Sequence, residues 1–365
     1  MVSGARLTVL GSLNMDISVT VPRLPAPGAT VLGGAAAFSP GGKGANQAVA
    51  AARLGAAVRM VGCVGDDEFG RALRAALQAD AVGDDGVRTV PGFPTGLAMI
   101  TVDEAGENII TVAPGANREV GEAEIAAIGD GAADVLVISA EIPVAVIRAA
   151  LAARGQALRL LNLAPAPAEA AELVAAGVDW LVVNESEAAA VLGRPVAGLA
   201  GAARAAADLA KAGARNAVVT AGAAGAAYRG PREEAGGADG VLTVPGFQVP
   251  AVDTVGAGDT FAGALAAALA AGVPPRDAVL AAAAAAAAAV TRPGTQAGMP
   301  RPADVLAATG QAWPVPARRP SRLRGRWSID LPLWGGNGPS TPFRPGIAGP
   351  PGAQLSWDAA AEQRR

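Results

Sequence analysis

The sequence predicts an α/β protein: a mostly parallel central sheet covered by helices on both faces, with a small second sheet standing off it. Three observations carry this reading. Short apolar runs recur at 7–10, 58–64, 134–138, 158–163, 179–183 and 216–220. Ala-rich helical segments fall between most of them, at 44–54, 68–79, 143–153, 185–192 and 199–212. The runs are continuously apolar rather than alternating, as expected of strands buried on both faces. The architecture expected is therefore a three-layer α/β/α sandwich.

Composition suits close layers. Of the 365 residues, 51% are hydrophobic but only 3% aromatic, and alanine supplies much of the apolar content. The core must then be built from Ala, Val, Leu and Ile, whose small volumes let helices lie close to a sheet.

Two regions break the strand–helix rhythm. The first, 16–38, holds Ile17-Ser18-Val19-Thr20-Val21, a Pro-rich turn, then Thr30-Val31-Leu32. The second, 95–113, reads as a β-hairpin: Thr95 to Val102, the turn Asp103-Glu104-Ala105-Gly106, then Asn108 to Val112. Together they are expected to form the second sheet, a lid over a ligand and a surface through which two copies pair. Ala278 to Val290 is nearly pure alanine; its 13 residues are too short to span a bilayer and predict a buried helix.

Residues 1–311 make one domain on this reading. Residues 312–365 differ in composition, with nine of the 28 prolines, four of the five tryptophans, and eight arginines against three acids. They are expected to be a disordered or loosely attached tail.

Charge and residue inventory exclude several chemistries. A net charge of −3 argues against general nucleic-acid affinity. The chain has no histidine, so His triads, His metal sites and His bases are excluded. The single cysteine, Cys63, sits in an apolar run and reads as a buried strand thiol. One thiol cannot form an internal disulfide and no secretory signal opens the chain, so a reducing cytoplasm is expected.

Ligands of open α/β sheets bind beyond the carboxyl ends of the strands. There the sequence places Ser12, Asn14 and Asp16, then Glu141, Asn162, Asn184 with Glu185 and Glu187, and Thr220 with Gly222. The strongest local signal is Asp253-Thr254-Val255-Gly256-Ala257-Gly258-Asp259-Thr260-Phe261, followed by a helical run. Gly256 and Gly258 allow backbone amides to approach an anion, and the helix start adds free N–H groups and a positive dipole end. Asp259 inside such a cradle is either a helix cap or a base for phosphoryl transfer, and the loop alone weighs the two equally. The second signal is Pro40-Gly41-Gly42-Lys43-Gly44-Ala45-Asn46-Gln47, again before a helix. It fits neither the Walker A spacing nor a dinucleotide fingerprint. It reads as a flexible turn or as close backbone approach to a polyhydroxylated ligand, with Asn46 offering paired donor and acceptor groups.

These two motifs, in this order, resemble the signatures of the PfkB carbohydrate kinase family, in its ribokinase branch. Gly11-Ser12-Leu13-Asn14-Met15-Asp16, Gly115-Ala116-Asn117, Asn184-Glu185-Ser186-Glu187 and Val290-Thr291-Arg292-Pro293-Gly294 resemble it too, and the likeness covers about 5–308. The resemblance implies ATP-dependent phosphorylation of a sugar, D-ribose at O5 first, with another sugar or a nucleoside as alternative acceptor and a non-catalytic sugar sensor as the alternative of another class. It implies a sugar site of Asn14, Asp16, Gly42, Lys43, Asn46 and Glu141, with Asp259 as catalytic base and Gly256, Ala257 and Gly258 as anion hole. Asn184, Thr220, Gly222, Gly225 and Gly258 would contact ATP, and Asn184 with Glu187 would hold Mg²⁺ through water. K⁺ would bind at Asp253, Val255, Ala289, Arg292, Gly294 and Gly298, where Gly298 stands in place of a common serine. A homodimer formed through the lid sheet is also implied.

Overall fold

The computed structural model describes residues 5–129, 133–153, 155–231 and 240–314. Nine strands form the central sheet: β1 (Arg6–Leu10), β4 (Ala57–Gly65), β5 (Gly83–Val90), β8 (Val135–Ser139), β9 (Leu158–Asn162), β10 (Val178–Asn184), β11 (Ala214–Thr220), β12 (Gly225–Arg229) and β13 (Val241–Pro245). Their order is β13-β12-β11-β10-β9-β8-β1-β4-β5. All neighbours from β11 to β5 are parallel, and the β11-β12-β13 edge is antiparallel. The chain builds outward from β1 in both directions, so the switch point lies between β1 and β8, where a crevice opens at the strand ends.

Both faces of the sheet are buried. Leu7, Val9, Val137, Leu160 and Val182 enter one core; Leu10, Ile138, Leu161 and Val183 enter the other. Alternation along each strand thus feeds two layers with no polar face, which is why the strands are apolar throughout. The first layer comprises α1 (Lys43–Arg53), α2 (Glu68–Ala79), α8 (Ala257–Ala270) and α9 (Pro275–Ala289). The second draws on α4 (Val144–Ala152), α5 (Ala170–Ala175), α6 (Glu185–Leu192) and α7 (Gly198–Ala212), with α3 (Glu122–Ala127) against it. The Ala-rich α9 is buried in the first layer, as its composition predicts. Two short helices, α10 (Thr295–Gly298) and α11 (Pro302–Thr309), follow it. No helix among the described residues is long and apolar enough to cross a membrane.

The second sheet has the order β3-β2-β6-β7, with β2 (Asn14–Val21), β3 (Ala37–Gly41), β6 (Gly96–Asp103) and β7 (Asn108–Ala113). The 95–113 hairpin forms as expected. Thr30-Val31-Leu32, however, is not a strand: Leu32 is 90% exposed, and the partner of β2 is β3, seven residues later at its start. Close approach selects β3. A Cβ on Gly41 would sit 2.2 Å from the Asp16 carboxylate, so this segment can lie where a bulkier one cannot. Pro40 is tolerated because β3 is an edge strand.

Cys63 is fully buried in β4, and burial pushes its thiol up to about 12. Residues 315–365, most of the expected tail, lie outside the described residues. Its start does not fit the expected boundary, because Trp313 packs against the first core.

Candidate functional site

The site forms where the N-termini of α1 and α8 meet the ends of β1 and β8. Gly42 precedes α1 with φ +87, a conformation that an L side chain resists. Gly44, one residue into the helix, lies so close to the chain after β1 that a Cβ would meet Gly11 and Ser12 backbone at 2.7 Å. This contact seats the helix start on Ser12. The Ser12 hydroxyl donates to Glu141 Oε2 at 2.6 Å, and the Lys43 N–H donates to the same oxygen at 3.2 Å. The Lys43 ammonium lies 3.9 Å from Glu141 Oε1.

Asn14 and Asp16 enter from β2. Asn14 Oδ1 accepts from Asn117 Nδ2 at 2.8 Å, while Asn117 also brackets Leu13 with bonds to its N–H and carbonyl. Pairing in the small sheet puts Asp16 on the same face as Ala98 and Val112. Asn14, Asn117, Glu141, Val112, Pro114 and Ile142 line a cavity of about 560 Å³. The small sheet therefore contributes a wall to this cavity.

Asp259 lies in the first turn of α8, whose N-cap is Gly256 at φ +78. It makes no cap bond to its own helix. Instead Asp259 Oδ2 accepts from Asn46 Nδ2 at 2.9 Å and Oδ1 from Gln47 Nε2 at 3.0 Å. Among the described hydrogen bonds, Asp259 is therefore not a cap of its own helix. Helix proximity makes the contact possible: a Cβ on Gly263, one turn beyond Asp259, would lie 2.4 Å from the Gln47 carbonyl. Gln47 Nε2 also donates to Asn162 at the end of β9, at 2.9 Å.

Charge is unevenly distributed. Lys43 faces Asp16, Glu141, Glu187 and Asp259, and its ammonium is held above its usual range, Asp259 contributing most. Asp16 is pushed up to about 7, first by burial, then by Glu141 and Asp259, with Lys43 opposing. Burial also raises Glu187.

On the other side, Asn184 and Thr220 are register partners at the ends of β10 and β11, with Gly222 and Gly225 following in a tight turn. Asn184 and Glu187 form a reciprocal capping box on α6: Glu187 N–H donates to Asn184 Oδ1 at 2.9 Å and Asn184 N–H to Glu187 Oε2 at 2.8 Å. Beyond the anion loop, Asp253 accepts from the N–H of Val255 and of Gly294, both at 2.9 Å. A Cβ on Gly298 would lie 3.1 Å from the Arg292 carbonyl and 3.3 Å from that of Ala289, so two carbonyls converge there. The Arg292 side chain turns away to Asp304.

One expected donor is differently placed. The Ala257 N–H bonds the Thr254 carbonyl at 3.3 Å rather than facing the cradle, because Gly256 closes a tight turn there. Three residues escaped sequence reasoning: Asn162 was noted without a role, while Gln47 and Gln296 carry no charge to mark them. Their only signal was position, Gln47 beside Asn46 and Gln296 just past the Gly294 turn.

Residues 5–302 match the model of the pfkB family carbohydrate kinases. The chain belongs to this family. Within it, the chain is 37% identical over 307 residues to a ribokinase of Schizosaccharomyces pombe, spanning 80% of this chain and 94% of that one. It is 34% identical to a deoxyribokinase of Salmonella typhi, over 71% of this chain and 84% of that one. The fold matches a structure of Arabidopsis thaliana ribokinase complexed with ribose and ATP, with TM-score 0.71 and 30% identity over 83% of this chain and 98% of that one. The family assignment covers both Gly-rich motifs and stops short of the residues beyond 302.

Proposed function

We propose that the protein is a ribokinase, transferring the γ-phosphoryl group of ATP to O5 of D-ribose to give ribose 5-phosphate and ADP. The observation that carries this reading is Asp259: buried at a helix N-terminus, held by amide donors on both oxygens, and bonded to nothing in its own helix. A carboxylate so held is a base aimed at a ligand, and a binding-only sensor has no use for it.

Asn14, Asp16, Lys43, Asn46 and Glu141 read the sugar hydroxyls. Asp259 accepts the O5 proton as O5 forms its bond to the γ-phosphorus and the bond to the ADP oxygen breaks. Negative charge on the transferring oxygens meets the start of α8, where among the described residues the Gly258 N–H makes no hydrogen bond. Lys43, surrounded by acids, stays charged and partly offsets their repulsion of the phosphates. Asn184, Thr220, Gly222 and Gly225 support the nucleotide, Asn184 and Thr220 side by side at the sheet edge.

Two ions fit the donors present. Among the described residues no group of three or more His, Cys, Asp or Glu is placed to hold a metal ion, and Glu187 with Asn184 offers one carboxylate beside an amide. That sparse set suits a hydrated Mg²⁺, which Asn184 and Glu187 would hold through water and which would supply charge neutralisation for the phosphates. The converging carbonyls of Ala289 and Arg292, with the Asp253 carboxylate and the backbone of Val255, Gly294 and Gly298, suit K⁺, which would steady the loop ahead of α8.

The lid sheet supports a homodimer. Its face opposite Asp16 carries Ile17, Phe38 and Met99, and Phe38 and Met99 remain 59% and 47% exposed. A buried lone thiol suits a reducing cytoplasm. A coupled ADP assay over ribose, 2-deoxyribose, fructose and adenosine tests the acceptor, and ribose is expected to give the highest kcat/KM. In the same assay Asp259→Asn is expected to lose roughly 10²–10⁴-fold in kcat with ribose binding retained. A mutant as active as the parent, or a preference for fructose or adenosine, would sink the corresponding half. Light scattering of a micromolar solution is expected to give a dimer mass.

A further inference from the structure

We propose that Gln296 is a positioning residue for the phosphoryl-transfer site: it fixes which way the Asn46 amide faces and through it the orientation of Asp259. This rests on the assignment of Asp259 as base. Gln296 is buried in α10, outside the sugar, nucleotide and anion-loop residues. Its Nε2 donates to Asn46 Oδ1 at 3.0 Å, and Asn46 Nδ2 donates to Asp259 Oδ2 at 2.9 Å. The chain of bonds has one direction. A carboxylate only accepts, so Asn46 must offer it the NH₂ end, and the Oδ1 end is then free only for a donor. If Gln296 were reversed, Asn46 would be drawn to present its oxygen to the carboxylate, acceptor against acceptor.

The backbone of Gln296 is clamped by the same helix. Arg53 lies seven residues, about two turns, after Asn46 on α1 and so shares its face. Its Nη1 donates to the carbonyls of Gln296 and, at 3.1 Å, Met299, while its other nitrogens make a two-pronged pair with Asp80 at 2.7 and 2.8 Å. Helix α1 therefore grips the 296–299 segment twice, once by a guanidinium on its backbone and once by an amide on its side chain. Gln47 holds the other oxygen of Asp259 from the β9 side. Without Gln296, one of the two donors on the carboxylate loses its orientation while the other persists.

The test uses two variants of the full-length protein. Gln296→Leu keeps the volume and removes the donor; its kcat is expected to fall by roughly tenfold to a hundredfold, the range a misplaced catalytic group produces. Gln296→Met keeps the length of the side chain without a donor, and its kcat is expected to fall likewise, with the KM for ATP within threefold of the parent. A purely structural role lowers the amount of folded protein and leaves kcat per folded molecule at the parent value. A kcat per folded molecule within twofold of the parent for either variant overturns the proposal. Asp259→Asn, assayed alongside, separates the two layers: if it stays active, the base assignment itself fails, whatever Gln296 does.

Discussion

The two Gly-rich helix starts look alike in sequence and differ in what their glycines are for. At α1, Gly42 needs its positive φ and Gly44 touches the backbone of Gly11 and Ser12. These glycines make room for the protein itself. At α8, Gly256 has positive φ and leans on Thr295, but a Cβ on Gly258 would meet nothing within 4 Å, and Gly258 has no positive φ. Neither packing nor backbone conformation asks for glycine there. On the proposed function, the space at this helix N-terminus beside Asp259 would take the transferring phosphoryl group. One helix start would then assemble the site and the other receive the reactant.

This contrast is breakable. The largest expected effect is on Gly258→Ala. Alanine in a first helical turn gains up to about 1 kcal/mol of stability over glycine, and no contact opposes it. Thermal melting should therefore show unchanged or higher stability, while kcat drops by roughly 10²–10³-fold, as for a lost oxyanion contact. A stable variant with parent activity would remove the reactant from this loop.

Gly44→Ala should do the reverse. The same intrinsic gain is outweighed by backbone contacts at 2.7 Å that must be relieved, at a cost of about 1–3 kcal/mol. Denaturant unfolding should show the loss. Gly263→Ala, on the same helix as Gly258 but facing the Gln47 carbonyl at 2.4 Å, should behave like Gly44→Ala. If Gly258→Ala and Gly263→Ala were equally destabilising, the distinction between packed and open glycines would collapse.

The smallest effect concerns Asp16. Unfolded, it titrates near 3.8; folded, near 7. Between these values the native chain keeps a proton that the unfolded chain has lost, so this group makes stability fall as pH rises from about 4 to about 7. Asp16→Asn cannot ionise. Melting of the sugar-free protein is expected to favour the variant over the parent by a margin that widens from pH 5 to pH 8, with ribose affinity lost. A margin independent of pH would place the Asp16 carboxyl in water rather than against Gly41.

Much of the sheet was legible because parallel strands buried on both faces leave continuous apolar runs, as 179–183 and 216–220 do. Strand β5 was not, since Gly83-Asp84-Asp85-Gly86 carries its charge into an edge strand where Asp84 and Asp85 pair with Arg74 and Arg59. Strands β12 and β13 were missed for a similar reason: they are short, and they pair antiparallel beyond the periodic part. Asp259 was visible through its motif, yet its role stayed ambiguous, because a cap and a base present the same residue at the same place.

The sequence by itself determined the layered α/β architecture, the pole of the sheet that carries polar residues, and the two Gly-rich helix starts. Periodicity and residue type are local, and these features are local too. Tertiary structure decided what each glycine accommodates and which amides hold Asp259. Asn46 and Gln47 lie more than 200 residues from Asp259 and Gln296 in the chain. Their hydrogen bonds depend on how closely α1 and α8 approach, and that distance is set by packing at Gly263, which no local pattern encodes.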